Sequence, residues 1–185
     1  MPRRLVLVLL SFLCSTCDAQ TIDECIKDEC DRGVLTSHIR IDAGFKEGDK
    51  IIKAIETWKT ATGGRFKPTW SKETVDVGAK DSIVQVTSDH KIVVDYDKEH
   101  EKILLGMHTG RTIYIVTDRL GSNFEAVVTH ELGHYLGLDH SEDPDDVMID
   151  TSPTNACVSS ENLEAFCKKW GCQSVMTIST CKEKE

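Results

Sequence analysis

The sequence predicts an α+β fold: a mixed, twisted sheet of α/β type with a site-bearing helix packed on it. Three observations predict it. A weakly alternating strand over residues 35–41 runs into an amphipathic helix over 48–62, so strand and helix follow one another rather than segregating. The densest β-forming run, Thr112-Ile113-Tyr114-Ile115-Val116, leads directly into a second helix. Short strand-like segments lie between them, and no internal repeat or low-complexity stretch is visible.

Each element has a local cause. In the first helix Ile51, Ile52, Ile55 and Trp58 recur at helical spacing, so that face turns inward, and Gly63-Gly64 ends it. Residues 65–70 and 82–87 read as two further strands, and 102–108 as an edge strand. Ser122-x-x-Glu125 has the form of a capping box opening the second helix, with Phe124, Val127 and Val128 as its core contacts. A last helix covers Ser160–Trp170, with Leu163, Phe166 and Trp170 on one face.

Composition sets limits. The chain has 185 residues, enough for one domain with a real core. Residues 1–19 read as a signal peptide: Arg3 and Arg4 precede an apolar run too short to span a membrane, which ends at Cys17-Asp18-Ala19. The expected location is therefore secreted, extracellular or periplasmic. Acylation at Cys17, as in a lipoprotein, is the alternative, although Cys14-Ser15-Thr16 fits a lipoprotein box poorly. Six of the eight cysteines lie beyond the leader: Cys25, Cys30, Cys157, Cys167, Cys172 and Cys181. An even number in an exported chain points to disulfides, whose pairing spacing alone does not fix. A net charge of −9 argues against a nucleic-acid surface. The acidic runs over 95–101 and 142–146 read as solvated loop faces, with calcium binding through carboxylates as the alternative.

The chemistry concentrates in His130-Glu131-Leu132-Gly133-His134-Tyr135-Leu136-Gly137-Leu138-Asp139-His140, which reads H-E-x-x-H-x-x-G-x-x-H. Residues four apart share one helix face, so His130 and His134 direct two imidazoles at one point. Glu131 sits beside them, able to reach a metal-bound water without being a ligand. Gly137 allows the left-handed turn that ends the helix and brings up His140. Three nitrogens and one open position are the pattern of a catalytic zinc site. An ordinary amphipathic helix can carry H-E-x-x-H by chance, but the added glycine and histidine cut accidental matches by roughly three orders of magnitude. His38, His90, His100 and His108 have no partner at ligand spacing and read as surface or packed histidines.

This signature, followed by Ser141-Glu142-Asp143-Pro144-Asp145-Asp146-Val147-Met148, resembles the matrixin branch of the metzincin zinc peptidases. The resemblance is strong over residues 122–148 and rests upstream on the order of elements. It implies a metzincin catalytic domain over 35–185, one catalytic Zn2+ held by His130, His134 and His140, Glu131 as general base, and Met148 at the Met-turn beneath the metal. It further implies a protein or peptide substrate lying extended along the edge strand at Leu105, Gly106 and Met107. The expected protein is a monomeric zinc endopeptidase; the alternative is a catalytically idle zinc-binding module of the same fold. Three features depart from matrixins. The P-R-C-G-x-P-D cysteine-switch motif is not present, the structural-metal motif is not recognisable, and Ile149-Asp150 replaces the usual Tyr-Pro after the Met-turn methionine. Residues 20–34 form a short N-terminal segment, read either as a pro-segment that fills the metal's open position or as an arm closed by Cys25 and Cys30.

Overall fold

The computed structural model describes residues 34–100, 102–172 and 181. The expected leader, Cys17, the segment over 20–33 and both of its cysteines lie outside the described residues. Strands β1 (Leu35–Asp42), β2 (Phe66–Glu73), β3 (Ser82–Val86), β4 (Gly106–Thr109) and β5 (Thr112–Val116) alternate with helices α1 (Gly48–Ala61), α2 (Lys91–His100), α3 (Phe124–Tyr135) and α4 (Ser160–Trp170). The strands form one sheet in the order β2-β1-β3-β5-β4. Pairings from β2 through β5 are parallel, and only β4 runs antiparallel to β5. This is the expected mixed sheet.

Period-two alternation divides the core between the two faces of the sheet. Ile83, Ile113 and Ile115 point to one face and join Ile51, Ile55 and Trp58 of α1 with Val128 and Leu132 of α3. Val84, Val86, Tyr114 and Val116 point to the other face and meet Val93 of α2. Burying β5 on both sides explains why its sequence is continuously apolar.

Helix α1 keeps its predicted face, with Ile51, Ile55 and Trp58 fully buried, although Ile52 is only partly covered. Its end is set by Gly63 and Gly64, at φ +61° and +75°. Helix α2 was not expected. The acidic run over 95–101 read as loop, yet most of it lies in this helix, where Asp95 pairs with Lys91 and Asp97 with Arg119 at 2.7 Å. The edge strand is shorter than the predicted 102–108, and Leu105 precedes it, accepting a hydrogen bond from the Val116 N–H at 2.9 Å. Among the cysteines, Cys157 pairs with Cys181 and Cys167 with Cys172. No described helix is long and apolar enough to cross a membrane.

Candidate metal centre

Helix α3 is built to be enclosed, and its residues from Phe124 to Gly133 are buried apart from Glu125. The predicted capping box does not form. The chain enters α3 through tight 3-10 turns, Asn123 stands at the N-cap without a side-chain capping bond, and Glu125 turns away to pair with Lys53 at 2.9 Å. Trp58 Nε1 donates to the Thr129 carbonyl at 2.8 Å, locking α1 to the middle of α3. Tyr135 Oη bonds Asp81 Oδ1 at 3.1 Å and also Ser37 Oγ, fastening the last turn to the sheet. Trp170 Nε1 of α4 donates to the Leu136 carbonyl at 2.9 Å.

The helix then ends as its sequence requires. Gly137 lies at φ +82°, its N–H bonds the His134 carbonyl at 2.8 Å, and the Leu138 N–H reaches back to Gly133 at 3.0 Å. This Schellman pattern reverses the chain and returns His140 to the helix face. A side chain at Gly137 would also collide with Lys169 of α4.

The three histidines converge. His134 Nε2 lies 3.0 Å from His130 Nε2 and 3.1 Å from His140 Nε2. On His130 and His134 the opposite nitrogens fix the tautomers. His130 Nδ1 donates to the Val147 carbonyl at 2.7 Å, His134 Nδ1 to the Leu138 carbonyl at 2.8 Å, and His140 Nδ1 faces Asp150 Oδ1 at 3.2 Å. Burial pulls His130 down to about 4 and also lowers His134, so both rings are neutral near pH 7. With their protons on Nδ1, the Nε2 lone pairs face one another with no proton between them. That arrangement is repulsive without a cation, and three converging imidazoles are a donor set that suits zinc. The residues present therefore fit the metal that the sequence implies.

Glu131 is 5% exposed, and burial pushes its carboxyl up to about 8, opposed by a hydrogen bond from the His108 backbone. Its Oε2 is buried with no hydrogen-bond partner among the described residues. Gly106 of β4 makes room for this carboxyl, since a Cβ there would lie 2.7 Å from Oε1. Met148 is fully buried and packs on Gly133, where a Cβ would strike its sulfur. The turn that presents it is held by Asp146, which accepts from the Met148 N–H and from Ser159 Oγ, each at 2.6 Å. Ser159 is the N-cap of α4, so one carboxylate ties the Met-turn to the last helix.

A cleft of about 620 Å³ runs over these groups, with Leu105, Gly106 and Met107 on the β4 side and residues 150–153 on the other. A larger hollow, about 850 Å³, lies between α1 and the acidic loop, but it holds none of the histidines. The structure thus brings together His130, Glu131, His134, His140 and the predicted edge-strand residues, with Gly137 and Met148 behind them. His108 reads from sequence as a surface or packed histidine, and it is packed, edge-on to Tyr135 at 6.1 Å between ring centres, where it also lines the cleft. His38 bonds Thr69 at 2.8 Å and His100 stacks on Tyr96 at 4.1 Å, both away from the cluster. Sequence reasoning did not find Asp150 as a partner of His140, although Asp150 does stand out as a departure from the usual Tyr-Pro.

A mixed sheet beside a helix carrying two histidines, a glycine turn to a third, and a methionine beneath them define the metzincin class of zinc peptidases. The fold is shared with archaemetzincin from Methanopyrus kandleri, at a TM-score of 0.52 and 14% identity over 74% of this chain and 96% of that one. The chain belongs to the matrixin family, whose sequence model matches residues 27–163. It is similar to matrilysin from Felis catus, 60% identical over 45 residues, covering 24% of this chain and 16% of that protein. Matrilysin from Homo sapiens is 42% identical over 59 residues, covering 30% of this chain and 22% of that protein. The matched stretches thus span under a quarter of the length of these curated relatives.

Proposed function

We propose that this chain is a secreted zinc-dependent endopeptidase. The observation that carries the reading is the pairing of the histidine cluster with Glu131, whose buried Oε2 is without a hydrogen-bond partner among the described residues. A purely structural metal site has no use for a carboxyl held this way.

His130, His134 and His140 hold the metal as neutral imidazoles. Bound zinc supplies Lewis acidity, polarising a carbonyl and bringing the pKa of water toward about 7. Glu131, as carboxylate, takes a proton from the attacking water and returns it to the nitrogen of the leaving amine as the C–N bond breaks. Beside it, β4 is the last of the described strands, and no described strand pairs with its outer edge, which suits pairing with an extended peptide. The segment Leu105-Gly106-Met107 therefore binds substrate backbone, and cleavage falls within a chain rather than at its end. The two disulfides support an oxidising compartment.

The test uses the chain beginning at Gln20, with a peptide library as substrate. It should contain about one zinc per chain, cleave internal bonds, and stop when a chelator is added. Glu131→Ala should keep its zinc and lose turnover by several orders of magnitude. Turnover surviving in that variant would assign the base elsewhere, and a zinc-loaded parent that cleaves nothing would leave a binding module.

A further inference from the structure

We propose that Asp150 is the positioning residue that holds His140 in its metal-binding orientation. The inference rests on the reading of the histidine cluster as a zinc site. The three imidazoles are not held alike. His130 and His134 stand on a packed helix and give their Nδ1 protons to main-chain carbonyls. His140 lies beyond the helix on an exposed segment, and its Nδ1 faces the Asp150 carboxylate at 3.2 Å instead.

Backbone pairing delivers that carboxylate. Ser141 and Ile149 form a parallel bridge, and the Ser141 N–H donates to the Met148 carbonyl at 2.7 Å. The segment after Met148 is thereby laid alongside the segment after His140. The second carboxylate oxygen, Oδ2, lies 3.9 Å from Lys102 Nζ on the far rim of the cleft. Asp150 therefore lies between the two, one oxygen toward the imidazole and one toward the ammonium.

An exposed imidazole is free to turn about two side-chain torsions. A carboxylate accepting from Nδ1–H fixes the ring plane and the tautomer, and leaves the Nε2 lone pair for the metal. Asp150 thus stands at the least enclosed ligand in the place that carbonyls hold at the other two. At this position the chain departs from the Tyr-Pro usual in matrixins.

The experiment measures zinc affinity by competition with a chromogenic chelator in the parent, Asp150→Ala, Asp150→Asn and Lys102→Ala. Asp150→Ala should weaken zinc binding about 10- to 100-fold, the usual effect of losing such a partner, with the melting temperature of the metal-free protein unchanged. Asp150→Asn keeps an acceptor oxygen and should restore affinity to within about threefold of the parent. Lys102→Ala should leave affinity within about twofold, since the imidazole contact survives. Parent-like affinity in Asp150→Ala overturns the orienting role. An Asp150→Asn variant as weak as Asp150→Ala overturns it in favour of simple charge attraction, and equal weakening by Lys102→Ala overturns it in favour of the cross-cleft pair. A parent that binds no zinc overturns the metal site itself, and the orienting role with it.

Discussion

Glu131 must be both enclosed and able to ionise, and the two demands conflict. Its carboxyl releases a proton near 4.5 in an ordinary setting but only near 8 when buried here. Below 4.5 both folded and unfolded forms are protonated. As pH rises, the unfolded chain ionises first, so metal-free protein loses stability until about 8 and none further from this group. The span is on the order of 5 kcal/mol. His130 works in the opposite direction, its share of stability falling away as pH drops from 6.5 toward about 4. In chelator, Glu131→Gln should therefore flatten the decline between pH 5 and 8, as read from urea midpoints. Parallel curves for parent and variant would mean that the carboxyl is not buried uncharged. Gly106 tests the same group sterically. Gly106→Ala sets a Cβ 2.7 Å from Glu131 Oε1 and 3.0 Å from Val127 Cγ1, so the carboxyl must move. Zinc content should hold while kcat falls about 10- to 100-fold, since small misplacement of a reacting group is costly; an unchanged kcat would show that the carboxyl has room to spare.

Helix α3 is rigid because three neighbours hold it, and Gly133 shows how closely. A Cβ at Gly133 would strike the Met148 sulfur and come within 3.0 Å of Trp58 Cζ2, both in fully buried side chains. Gly133→Ala should cost about 1–3 kcal/mol by overpacking, despite alanine's better helix propensity. A denaturant midpoint equal to or above the parent's would show that the Met-turn can slide away. Helix α3 itself was legible because its ligand spacing is its helical period. Helix α1 was legible because Ile51, Ile55 and Trp58 repeat on one face. Helix α2 was not, because Val93 is its single buried residue and its charges mask any apolar stripe. The capping box failed for a tertiary reason: Lys53 on α1 claims Glu125 before the helix terminus can.

At the scale of the molecule, the disulfides among the described residues both lie in the C-terminal segment, which also braces α3. Cys157–Cys181 closes a separation of 24 residues and Cys167–Cys172 one of 5. Reducing the larger loop should lower stability by about 2–4 kcal/mol, with a smaller effect from the short one. Because α4 braces the end of α3, reduction should also weaken zinc retention, measured by chelator competition with and without reductant. Retention unaffected by reductant would make the bridges independent of the site. Strand order was beyond sequence reading, since placing β1 between β2 and β3 depends on contacts that no local pattern encodes. Asp150 was equally hidden, because its value lies in a neighbour brought up by a distant turn.

The hydrogen bond from Trp170 to the Leu136 carbonyl also sets a timetable. A chain emerges from the ribosome N-terminus first. His130, Glu131, His134 and His140 are all polymerised before Trp170. Until α4 docks, the turn at Gly137 lacks its outer brace. The turn that delivers the third histidine is therefore completed only when the C-terminal helix docks.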